Sequence, residues 1–238
     1  MAAQPSINHD RCQAALSSYE PLVLEAARRP LGTIFGFAFI VFYISFTIIA
    51  ITQFPRTVSP LDMYLSTLGN ADISPDGAIF YSLGVILAGL AEILFFIAIY
   101  AHYSQHGRRW ILIIGLIAGI INGISASMSG VYPEHVIEIT DLTNINVSEH
   151  ETWSLLIFFS FIPVLLAFSL ALRGTRGTSR WVSLYGFLVC TIDVIFLATF
   201  LSDGQGPIME WFTVFSYLIW VLLVSLDVLK RSRAESLV

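Results

Sequence analysis

Arg108-Arg109-Trp110-Ile-Leu-Ile-Ile-Gly115-Leu-Ile-Ala-Gly119-Ile-Ile-Asn122-Gly123-Ile-Ser-Ala-Ser127-Met-Ser-Gly-Val131 is the stretch that decides the fold. Between Trp110 and Val131 it carries no charge, and it is long enough for the roughly 20 helical residues that cross a hydrocarbon core of about 30 Å. Two arginines precede it, and an indole opens it at the depth where amphipathic rings prefer the headgroups. Five further runs share this character. The six spans are read near Leu31–Gln53, Ala78–Tyr103, Trp110–Val131, Trp153–Leu172, Trp181–Leu201 and Met209–Leu229. Continuous apolar runs must satisfy their backbone polar groups internally, so the fold class is an all-α integral membrane bundle of six transmembrane helices.

Composition agrees. Hydrophobic residues make up 56% of the 238 and charged residues 12%, where a soluble domain has about 25% charged. Mean hydropathy is +0.77. Eleven of the twelve Lys and Arg residues fall in alternate gaps between the runs, and only Arg56 falls in the others. Those other gaps hold ten of the seventeen acidic residues. Basic flanks stay cytoplasmic, so both termini are expected there, with the acidic connections facing away. Such a layout points to membrane lipids as partners and offers no basic patch for nucleic acid. The plasma membrane is the expected location.

The chain divides into a cytoplasmic arm at 1–30, the six-helix domain at 31–229 and a short basic cytoplasmic tail at 230–238. The arm reads as an interfacial helix interrupted by Pro21. It lacks the short apolar core of a cleavable signal, so the first span is expected to direct insertion. Cys12 and Cys190 fall at different depths and are not expected to pair; Cys12 reads as a free thiol. Asn146-Val-Ser148 is a glycosylation sequon on the acidic side. Ser236-Leu237-Val238 resembles a PDZ-binding tail, a match that three residues reach easily by chance.

Gly115, Gly119, Gly123 and Ser127 recur every four residues in the third span, and Gly84 and Ala88 lead to Glu92 in the second. Small residues at this spacing let helices approach closely, and packing is their reading. Glu92, Asn122 and Asp193 are costlier. An acid at mid-membrane costs about 2.5–3.5 kcal/mol on insertion scales. By helical rise, Glu92 lies roughly 15 Å from the inner end of its span, with Asn122 and Asp193 roughly 18 Å from theirs. Pro163 interrupts the fourth helix's bonding at a similar depth. No Lys, Arg or His lies in the core to neutralise these acids, so each is expected to be protonated or hydrogen-bonded. A proton relay or polar pocket competes evenly with interhelical hydrogen bonding. Asp227, beside Lys230 and Arg231, reads as a solvated salt bridge.

On the acidic side the candidates are Ser66, Asn70, Asp76, Glu134 and His150. Two imidazoles among carboxylates suggest a divalent metal, with His135, His150 and Asp72 as candidate ligands; no metal fingerprint has their spacing, and solvated acidic loops explain the charges more simply. Ser66, His150 and an Asp would make a nucleophile triad, but no Gly-x-Ser-x-Gly elbow accompanies them.

Ser66-x-Leu-Gly69-Asn70, then Pro75-Asp76-Gly77-x-Ile79-Phe80 with Gly84 and Gly89, then Tyr132-Pro133-Glu134 and His150, resemble the six-span family known as domain of unknown function 998. The resemblance covers roughly residues 30–230. The stretch Glu138–Glu149 is longer than that family's pattern. More distantly, the layout is similar to the DRAM-type autophagy modulators and to lipid-remodelling factors of the GPI-anchor pathway. That likeness implies lipid handling and assigns no catalytic residue. Three functions follow: lipid binding or organisation without catalysis, a metal-dependent lipid hydrolase with an outer-face His/Asp site, and a proton-coupled carrier using the intramembrane acids.

Overall fold

A computed structural model describes residues 31–104, 108–134, 148–173, 180–203 and 206–235. The arm, Cys12, His135, Asn146 and the last three residues lie outside the described residues. Six helices follow one another: α1 (Leu31–Gln53), α2 (Pro75–Tyr103), α3 (Arg109–Val131), α4 (Glu149–Arg173), α5 (Arg180–Asp203) and α6 (Pro207–Glu235). A 3₁₀ turn at Ser66–Gly69 separates α1 from α2. Each helix is long and apolar enough to cross a membrane, and no strand occurs among the described residues.

Local chemistry sets several helix ends. Pro75 and Pro207 open α2 and α6, where a missing N–H costs nothing, and Asp76 and Glu210 sit in those first turns. Ser148 and Glu151 form a reciprocal capping box at the start of α4: the Glu151 N–H donates to Ser148 Oγ at 3.1 Å, and the Ser148 N–H donates to Glu151 Oε2 at 2.9 Å. At the other end of the chain, α6 continues past Leu229 to Glu235, so Lys230–Arg233 ride on its last turns. Asp227 is not solvated. It is buried, 3.0 Å from Arg231 Nε, and accepts the Tyr103 hydroxyl at 2.9 Å.

Successive helices pack side by side, and α6 returns to α1 to close the bundle. The closure is close. Thr33 Oγ1 donates to the Ser225 carbonyl at 2.8 Å, and a Cβ on Gly36 would strike the Ser225 hydroxyl. Between α2 and α3 the approach is backbone to backbone: a Cβ on Gly123 would meet the Gly89 carbonyl at 2.7 Å. Gly115 and Gly119 instead seat the rings of Phe168 and Phe96. Only part of the glycine row therefore serves helix contact. The rest makes room for aromatic side chains, which, with Phe95, Ile99, Leu165 and Trp220, fill the core. Ile34, Val41, Leu90, Ile117, Leu188 and Ile219 are exposed, as a lipid-facing surface requires.

The Phe54–Ser74 connection is not a solvated loop. Met63, Leu65 and Leu68 are buried with Ala50, Phe54, Tyr81 and Val85 in a second apolar cluster. Asp62 and Asp72 stay exposed. The connection thus roofs one end of the bundle, and the described basic residues other than Arg56 gather at the opposite end.

Candidate functional site

Two adjoining cavities lie under this roof. The outer one, about 350 Å³, is lined by Tyr64, Glu134, Ser148, Glu151, Phe196 and Phe200 among others. The inner one, about 70 Å³, reaches Tyr43, Tyr81, Glu92, Asn122 and Tyr217. They share Ser66, His150, Ser154, Phe158 and Glu210, so these residues form the neck of one chamber.

Glu210 builds the neck from the first turn of α6. Its Oε2 accepts the Leu65 N–H, and the carboxylate also takes the backbone and side-chain donors of Ser66. Those donors belong to the start of the 3₁₀ turn, where N–H groups have no internal partner. One residue on, Trp211 Nε1 donates to the Met63 carbonyl at 2.9 Å. The last helix thereby clamps the roof supplied by the connection after the first. Glu134, in the loop after α3, bonds Thr67 of the same roof. Burial pushes its carboxyl up from the ordinary glutamate range, and the Glu151 charge pushes the same way; His150 and the Thr67 bond oppose.

His150 is fixed by its partners. Its Nδ1 lies 2.9 Å from the Tyr132 carbonyl and 3.2 Å from the Ser129 carbonyl. Carbonyl oxygens only accept, so Nδ1 carries the proton in this arrangement. Nε2 faces the other way, and the Ser154 hydroxyl lies 3.3 Å from it. The ring is held by backbone on one side and turned to the neck on the other.

At the inner end the Tyr217 hydroxyl donates to Glu92 Oε1. Tyr217 stacks on Phe161 with centroids 4.0 Å apart and meets Phe39 edge-on at 6.1 Å. Asn122 Nδ2 donates to the Ile157 carbonyl at 2.8 Å and to Ser160 Oγ at 2.7 Å. Its Oδ1 has no partner. A reversed amide would set that oxygen against the Ile157 carbonyl, so the assignment follows from the network.

Of the candidates read from sequence, Ser66, Glu134, His150, Glu92 and Asn122 line this chamber. Asn70 is buried beside it but serves the roof, its Oδ1 accepting the N–H groups of Asp72 and Ile73 at 3.0 and 3.2 Å. Asp76 is exposed on the first turn of α2 and lines neither cavity. Asp193 is fully buried on α5, also lines neither, and has no hydrogen-bond partner for either oxygen. No three His, Cys, Asp or Glu residues among those described converge to hold a metal; Asp72 is exposed, and His135 falls outside them. Sequence reasoning missed Glu210, Tyr217, Tyr43, Tyr81 and Ser154. Only Glu210 carried a signal, as an acid placed inside the first turn of an apolar helix rather than in the preceding loop.

The fold and chamber define a multi-pass, six-helix membrane protein with a partly polar internal cavity open under one roofed end. The family model described as protein of unknown function (DUF998) matches residues 36–227, and the chain belongs to that family. No curated protein and no solved structure matches it.

Proposed function

We propose that the protein binds a membrane lipid or similar amphiphile in the roofed chamber, without turnover, with the chamber opening away from the cytoplasm. The observation that carries this reading is the shared neck: an outer cavity edged by Glu134, Glu151 and Glu210 adjoins an inner one walled by Phe39, Val85, Phe158 and Phe161. Pockets that hold small ligands combine apolar walls with a few placed polar groups, as here. The arginine bias supports the orientation, and the plasma membrane is the proposed site.

Ser154 lies in the neck, so Ser154→Trp should plug it. Native mass spectrometry of the purified protein is expected to find retained lipid on the wild type and a clear loss on the plugged variant. Equal retention would overturn the proposal.

A second reading, a proton-coupled carrier, is favoured by one observation: a buried membrane acid, Asp193, with nothing bonded to it. Loss of pH-dependent uptake in Glu92→Gln or Asp193→Asn would support it. The hydrolase reading rests on His150 offering Nε2 to the neck beside the Ser154 hydroxyl. Zn²⁺ retained through chelator-free purification would favour its metal-dependent form.

A further inference from the structure

The carboxyl groups of the chamber are not balanced by any described Lys or Arg. Glu134, Glu151 and Glu210 line the outer cavity and Glu92 the inner, while no Lys or Arg lines either among the described residues. Two lining groups have buried atoms with unused capacity, Glu134 Oε2 and Asn122 Oδ1, and both are acceptors. Asn122 is 1% exposed and lines the inner chamber, where an acceptor without a donor is destabilising. A ligand that donates would remove that cost, whereas an anion would meet four carboxyl groups and, among the described residues, no Lys or Arg.

The size of the cation follows from the walls. The described acids do not converge into a three-ligand set, which a compact divalent ion would need. Aromatic rings share the lining instead: Tyr64, Phe196 and Phe200 outside, Phe158 at the neck and Tyr43 inside. Ring faces attract organic cations, most strongly where water is excluded. We infer that the chamber is selective for an amine-bearing ligand, whose ammonium sits among Glu134, Glu151 and the aromatic walls and whose further N–H or O–H reaches Asn122. This deepens the amphiphile reading above and rests on the same chamber.

The test compares heads on one tail. Decylamine, decyl maltoside and decyl sulfate are titrated into purified full-length protein, with ethanolamine as a tailless amine, and binding is read by tryptophan fluorescence and thermal shift. Decylamine is expected to bind about tenfold or more tighter than decyl maltoside, with decyl sulfate weakest. Glu134→Gln should remove most of that preference, weakening decylamine binding far more than decyl maltoside binding; Glu151→Gln, at an exposed position, repeats the test where Glu134→Gln folds poorly. Equal binding of the three tailed compounds would overturn the amine inference and leave the amphiphile reading intact. Ethanolamine binding as tightly as decylamine would keep the amine and sink the lipid. Saturable binding by none of the four would sink both. A preference that survives both glutamine variants would also overturn the inference.

Discussion

Glu92 and Asp193 are similar acids at a similar depth, on α2 and α5, and the bundle treats them differently. Glu92 accepts the Tyr217 hydroxyl and lines the inner chamber. Asp193 is as deeply buried, has neither oxygen bonded, and lines neither cavity. Depth alone therefore does not make a membrane acid part of a site. What distinguishes the two is the Tyr217 hydroxyl of α6, which bonds Glu92 and neither oxygen of Asp193. The other remains an energetic cost with no local return.

The same substitution at both positions sharpens the contrast. Asp193→Leu should raise stability, by at most the insertion cost of a mid-membrane acid of about 2.5–3.5 kcal/mol, measured by unfolding in mixed detergent. A loss of stability there would break the comparison, by showing that Asp193 has a favourable interaction after all. Glu92→Leu removes an acid too, but it orphans the Tyr217 hydroxyl at about 1–3 kcal/mol, so its net gain should be clearly smaller. Tyr217→Phe should cost about 0.6–1.7 kcal/mol in the wild type, within the range for hydrogen bonds between membrane helices, and close to nothing in the Glu92→Leu background. Equal costs in both backgrounds would mean that the hydroxyl matters through something other than Glu92.

The smallest effect concerns pH. Glu134 faces His150, Glu151, Glu210 and Tyr81, and its carboxyl titrates above the ordinary value of 4.5 chiefly because it is buried. The folded state therefore holds this proton more tightly than the unfolded one. Its contribution to stability is present below about pH 4.5 and is lost as pH rises through the raised value. Glu134→Gln should flatten the stability profile over that window. Binding of an amine should run the opposite way, strengthening as Glu134 ionises.

The spans were legible because hydrophobic length is a local property. Ends were less so: by hydropathy Pro75, Asp76 and Gly77 look like loop, yet Pro75 starts the helix. Likewise Lys230–Arg233 look like a tail, but charge does not stop a helix, and α6 carries them. Ser66, Glu134 and His150 stood out as polar residues near span ends. Glu210 did not, because its partner Leu65 lies 145 positions away, and Tyr217 lies 125 from Glu92. Such pairings arise from how helices are arranged, which one chain's periodicity does not encode. The inward turn of the Phe54–Ser74 connection was hidden similarly, its acids advertising solvent while Leu65 and Leu68 do the packing.

The clamp on that connection has a consequence for biogenesis. Glu210 and Trp211 emerge from the ribosome long after Met63 and Leu65 have left it. Until the sixth segment inserts, the lid has no latch and α1 lacks one of its neighbours, so nascent chains that end before Pro207 cannot complete the pocket. A stop codon or frameshift anywhere upstream thus removes Glu210 and Tyr217 from the chamber lining, however many helices have already been threaded.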